Sequence, residues 1–186
     1  MTPADVLPPR VLLLPGWQNS GPGHWQSRWE RLYGYTRVEQ NDWLWPKRGD
    51  WMARLDDVLL HSKTPAVLVG HSLGCQLVAS WSAHSRHTAR VKAAMLVALP
   101  DPEREDMPPQ LYNWRPIVRA RLPFASLVVT SSDDPFGSPE RAAAMADDWG
   151  SDSALIGARG HINGDSGLGD WAEGHAMLQA LIELAD

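Results

Sequence analysis

The sequence predicts an α/β protein in three layers, α/β/α, built on a mostly parallel six-stranded sheet within one domain spanning residues 1–186. Three observations carry that expectation. Short apolar runs, often β-branched, alternate with stretches of helical spacing from end to end, the pattern of strand–helix–strand units. No repeat, low-complexity tract or long linker interrupts them. The polar and potentially reactive residues gather just past the predicted strands, the edge at which open parallel sheets bind ligands.

The first strand is the run Arg10-Val11-Leu12-Leu13-Leu14, stopped by Pro15-Gly16. A loop rich in turn formers follows, Trp17-Gln18-Asn19-Ser20-Gly21-Pro22-Gly23. A helix then places Trp25, Trp29, Leu32 and Tyr33 on one face. Residues 36–39 form a short second strand, and Trp43, Trp45 and Pro46 occupy the next loop. Trp51, Leu55, Val58 and Leu59 mark a second helix. Residues 66–70 form the third strand, which runs into Ser72 and a helix carrying Leu73, Leu77, Val78 and Trp81. Residues 93–99 are the fourth strand, ended by Pro100. The stretch 101–123 is dense in prolines and charges and holds at most a short helix around 112–120. Residues 126–131 are the fifth strand, with Asp133-Asp134-Pro135-Phe136 at its end. Ser138 caps the next helix, with Pro139 in its first turn and Ala142, Met145, Ala146 and Trp149 inside. Residues 153–156 close the sheet. Gly160-His161-Ile162-Asn163 and a glycine-rich loop lead to a last helix with Trp171, His175, Leu178 and Ile182.

Composition narrows the function classes. With 186 residues, 44% of them hydrophobic, the chain can bury a proper core. Its net charge of −5 comes with no cluster of Lys and Arg, which argues against nucleic acid and anionic membrane as partners. The single cysteine, Cys75, excludes an internal disulfide and suits a reducing compartment. Residues 1–10 carry prolines and no apolar core of signal-peptide length, and no stretch approaches membrane-spanning length. The expectation is a cytoplasmic protein without membrane insertion.

The segment Gly70-His71-Ser72-Leu73-Gly74 sits between a strand and a helix, the context a Gly-x-Ser-x-Gly nucleophile elbow needs. A serine hydroxyl is a weak nucleophile at neutral pH. It needs a base, a carboxylate to orient that base, and donors for the oxyanion. On such a sheet the three groups follow in the order Ser, Asp or Glu, His. Ser72, the pair Asp133/Asp134 and His161 meet that order, each at the end of a different strand. Among seven histidines, His24 in the first loop is the rival base; His71 adjoins the serine, where neighbouring side chains on a sharp turn point apart. Chemistry alone leaves Asp133 and Asp134 open. The oxyanion donors expected are the amide of Leu73 and an amide of the first loop, Trp17 first and Gln18 next.

These pieces together resemble the retinoblastoma-binding protein 9 family of small serine hydrolases, within the α/β-hydrolase superfamily. The matching segments are Leu14-Pro15-Gly16-Trp17 with Gly23-His24-Trp25, Asp42-Trp43, Gly70-His71-Ser72-Leu73-Gly74, Ser132-Asp133-Asp134-Pro135-Phe136, Gly160-His161-Ile162-Asn163 and Gly167-Leu168-Gly169-Asp170-Trp171. The resemblance implies a minimal α/β-hydrolase fold with no large lid, esterase-like activity, and Ser72, Asp134 and His161 as the triad, since the family's aspartate directly precedes the proline. Pro15-Gly16 stands where many members of the superfamily have His-Gly.

An acyl-ester substrate is therefore expected, with no cofactor and no metal. Trp17, Trp25, Trp43, Trp114 and Phe136 are candidates to line an apolar acyl pocket, with core packing the competing role for Trp25 and Trp43. Three other readings compete. A hydrolase fold can serve as a protein-interaction module with little turnover. Gly21-Pro22-Gly23 could open a dinucleotide or flavin site, but Gln26 stands in place of the third glycine and Pro22 lacks an amide. His84 and His87 are three apart, but no carboxylate joins them in a metal-binding pattern.

Overall fold

The alternation of apolar side chains along the strands decides the architecture. In the computed structural model, which describes residues 8–186, β1 (Arg10–Leu14) sends Leu12 and Leu14 to one side of the sheet and Val11 and Leu13 to the other. β3 (Ala66–His71) divides in the same way, Ala66 and Leu68 against Val67 and Val69. Both faces are therefore buried, as strands of an all-parallel sheet require. Residues 1–7, on which most of the expectation about a leader segment falls, lie outside the described residues.

Helix α1 (Trp25–Tyr33), β2 (Thr36–Arg37), α2 (Arg48–Leu60), α3 (Leu73–His84), β4 (Val91–Val97), β5 (Ala125–Thr130), α4 (Pro139–Trp149), β6 (Asp152–Leu155) and α5 (Ala172–Leu184) complete the chain. The sheet has the order β2-β1-β3-β4-β5-β6, and every pairing is parallel. Trp51, Leu55 and Leu59 of α2, the α3 residues Leu77, Val78 and Trp81, and Met145 and Trp149 of α4 form the core on one face. Trp25 and Trp29 of α1, with Leu178 and Leu181 of α5, form the core on the other. Because β2 lies on one side of β1 and β3 on the other, the winding reverses between β1 and β3. That is the crevice where a doubly wound sheet holds its ligand, and the loops after β1 and β3 both open there.

Several elements differ from the sequence expectation. β2 spans two residues, because it is an edge strand pairing only with Leu12 and Leu13; Val38 is still buried and donates its N–H to the Leu13 carbonyl. Leu32 and Tyr33 face outward from α1, and the Tyr33 ring stacks on His175 instead. The helix expected around 112–120 is a 3-10 segment, Pro109–Trp114. It stops ahead of Pro116, which disfavours helix in the residue before it. No helix among the described residues is long and apolar enough to cross a membrane.

Candidate active site

Ser72 stands between the last residue of β3 and the first of α3, with φ 53° and ψ −122°. A non-glycine residue is costly to hold there, so the surroundings must over-determine it. The Ser72 N–H donates to the Val97 carbonyl at 2.9 Å, and its carbonyl accepts from Cys75 N–H at 2.9 Å. Gly74 permits the turn by its size: a Cβ there would lie 2.1 Å from the Leu14 carbonyl oxygen. Helix α3 therefore starts pressed against the end of β1, with Ser72 above the sheet edge.

His161 comes to Ser72 from the loop after β6. Its Nε2 lies 2.8 Å from Ser72 Oγ, and its Nδ1 lies 2.9 and 3.0 Å from the two carboxylate oxygens of Asp134. The Asp134 side chain is almost fully buried. Asp133 turns the other way: its Oδ1 accepts from the Ser131 hydroxyl at 2.8 Å and from Gly160 N–H at 2.7 Å. The Ser131 hydroxyl and the Gly160 amide hold the Asp133 carboxyl below the usual carboxylate range. The two neighbouring aspartates thus have different partners, one the imidazole and one the backbone beside it.

The first loop reaches the elbow through Gly16. A Cβ on Gly16 would lie 2.9 Å from Ser72 Cβ and 3.1 Å from the Leu73 nitrogen. Trp17 follows directly, and both it and Leu73, the first residue of α3, line the cavity at Ser72; the Leu73 N–H has no acceptor inside the helix. Gln18, the second candidate for the first-loop amide, is otherwise engaged, since its N–H donates to the Trp43 carbonyl at 3.0 Å. Its side chain lines the site instead.

Two cavities meet at Ser72 and His161. One, of about 220 Å³, is apolar and is walled by Trp17, Leu73, Met107, Leu111 and Phe136 with several prolines. The other, of about 440 Å³, is polar and is walled by the first loop, His24, His71, Asn163 and Asp165. Phe136 sets its ring edge-on to His161, centroids 4.6 Å apart. Trp114 is not in the wall: it is buried against Trp51, and its indole N–H donates to the Pro46 carbonyl at 2.8 Å. Trp25 is likewise core, donating to the Ile162 carbonyl at 2.7 Å. Met107 and Leu111 were not among the sequence candidates. They lie in the proline- and charge-rich stretch, where two apolar residues carry no period that would mark them.

His24 is not placed as a base toward Ser72; its Nδ1 caps α1 by accepting from Gln26 N–H. Cys75 is buried beside the elbow, and burial pushes its thiol well above the ordinary value, so it is no rival nucleophile. Among the described residues no group of three or more His, Cys, Asp or Glu side chains could hold a metal ion.

Comparison with known proteins shows the family and the fold. The family model described as serine hydrolase matches residues 11–180. The chain belongs to the serine hydrolase family. This serine hydrolase is similar in structure to a protein described as a YdeN-like hydrolase from Pectobacterium atrosepticum, with TM-score 0.82 and 29% identity over 95% of this chain and 91% of that one. It is also similar to the ydeN gene product of B. subtilis, with TM-score 0.73 and 17% identity over 94% and 99% of the two chains. The esterase RhEst1 from Rhodococcus shares the fold at TM-score 0.70 and 14% identity over 96% and 91%. No curated protein matches the chain.

Proposed function

We propose that this serine hydrolase is a carboxylesterase acting on esters of short acyl groups through Ser72, His161 and Asp134. The observation that carries the reading is the line of contacts from Asp134 through the His161 ring to Ser72 Oγ, each between 2.8 and 3.0 Å. Such alignment lets the imidazole take the hydroxyl proton as oxygen attacks a carbonyl carbon, while the carboxylate holds the tautomer and steadies the imidazolium. The tetrahedral oxyanion then faces the Trp17 and Leu73 amides. Collapse breaks the ester C–O bond, and His161 returns the proton to the departing alcohol. Water, deprotonated by the same imidazole, attacks the acyl-enzyme and releases the acid.

The cavities support a division of the substrate. The apolar one lies below the roughly 300–1,000 Å³ common for drug-sized ligands, which suits an acyl chain of a few carbons. The larger polar side suits the alcohol. The motifs quoted above support placing the chain in the retinoblastoma-binding protein 9 branch of the family.

The test is labelling by a fluorophosphonate probe together with hydrolysis of p-nitrophenyl esters of rising chain length. Labelling is expected in the natural protein and not in Ser72→Ala, with rates that stop rising by octanoate. A natural protein that is neither labelled nor active would instead favour an interaction module. Rates still climbing beyond octanoate would remove the short-acyl assignment.

A further inference from the structure

We infer that His71 and His24 are positioning residues, a buried pair that ties the loop of His161 to the elbow of Ser72. The inference rests on His161 being the base. His24 Nδ1 accepts from the Gln26 amide at 3.1 Å. A backbone amide can only donate, so that nitrogen carries no proton and the hydrogen sits on His24 Nε2. This Nε2 faces His71 Nδ1 at 3.3 Å, which makes His71 Nδ1 the acceptor and puts the His71 hydrogen on Nε2. His71 Nε2 lies 2.9 Å from the backbone carbonyl oxygen of His161, which can only accept. A backbone group fixes each end, and one arrangement of hydrogens satisfies the whole chain with both rings neutral.

The tie has a strained loop to hold. Gly160 and Ile162 flank His161 with φ 57° and 48°, and a β-branched residue avoids that region. The carbonyls of His161 and Ile162 are pinned by the rings of His71 and Trp25, and the Gly160 amide by Asp133. His71 is unlike the other two pins because the residue after it is the nucleophile. Its ring therefore sets the distance between base and serine from the serine's own side.

The groups facing the pair are the His161 ring, with Asp134 beyond it, and the Arg37 guanidinium behind His24. Neither His24 nor His71 has a carboxylate bonded to it among the described residues. No carboxylate therefore favours charge on either ring; the bond to the His161 carbonyl favours it on His71, but desolvation is the larger effect and disfavours it. Burial first, then the neighbouring histidines, push His71 well below the usual histidine value.

Imidazole ¹⁵N–¹H correlation spectra of the natural protein test the hydrogen assignment directly. Both rings are expected neutral with the proton on Nε2 at pH 7; a His71 proton on Nδ1, or a charged ring, overturns the proposal. His71→Phe then removes the donor at similar size, and His71→Gln restores an N–H that can reach the His161 carbonyl. The Phe variant is expected to lose roughly ten- to a hundredfold in kcat, the scale for a misplaced catalytic group, with KM little changed and the His161–Asp134 downfield proton signal broadened. The Gln variant should recover most of kcat. A folded Phe variant with natural kcat, or a Gln variant as impaired as Phe, overturns the role. Should Ser72→Ala retain activity, the esterase reading falls while the proton assignment stands by itself.

Discussion

Asp133 and Asp134 are neighbours in the chain yet hold different parts of one loop: Asp134 bonds the His161 ring and Asp133 bonds the Gly160 amide. Asp134→Asn is expected to lower kcat by about four orders of magnitude, the scale seen when an orienting carboxylate is neutralised in a serine protease triad. Asp133→Asn keeps an oxygen that accepts from Gly160 and should cost less than about tenfold. Kinetics on p-nitrophenyl acetate check the ranking, and the reverse order would move the acid to Asp133.

Gly16 presses on Ser72 Cβ and the Leu73 nitrogen, so Gly16→Ala must push the first loop off the elbow. An overpacked contact of this kind costs about 1–3 kcal/mol of stability. Displacing one oxyanion donor costs about a hundredfold or more in rate. Thermal unfolding and the acylation rate of a fluorophosphonate measure the two effects. An Ala variant with unchanged acylation would separate Trp17 from the oxyanion site.

The Trp114 indole lies in the core, donating to Pro46. Trp114→Phe is therefore expected to cost about 1–3 kcal/mol through a lost buried hydrogen bond and lost volume, with KM for short esters unchanged. Leu111→Trp, in the cavity wall, should instead raise KM for butyrate esters relative to acetate, beside an overpacking cost of about 1–3 kcal/mol because Leu111 is also buried. Urea denaturation and steady-state kinetics on both variants distinguish wall from core.

Burial, with nearby His161 and Arg37, lowers the His24 pKa from 6.5 to about 3. Between those values the unfolded chain binds the proton and the folded chain does not, so stability rises with pH across the window. The contribution is fully present above pH 6.5 and is lost as pH falls toward 3, at up to about 1.4 kcal/mol per pH unit for one such histidine. His24→Asn keeps a cap acceptor for Gln26 and removes the titration. Its Tm should fall less steeply than that of the natural protein between pH 6.5 and 4. Parallel curves would show that His24 is protonated in the folded state.

What the sequence determined by itself was the part written in local rules. Apolar runs of strand length alternate with helical spacing, and a serine stands between glycines at a strand-to-helix turn. From these follow the layers, the six strands and the edge where Ser72, His161 and the aspartates fall. Strand order, the shortness of β2 and the outward turn of Leu32 and Tyr33 depend on which neighbour each segment meets. Beyond the Asp134 that the family resemblance implied, tertiary structure gave Asp133 and Asp134 their separate partners, because adjacent side chains on a turn are aimed by contacts at residues 160 and 161. It alone spent the Gln18 amide on Trp43, buried Trp114 and brought Met107 and Leu111 over the serine. The physical reason is common to all of these: a side chain's direction and a backbone donor's partner are set by contacts across the fold, and no periodicity along the chain encodes them.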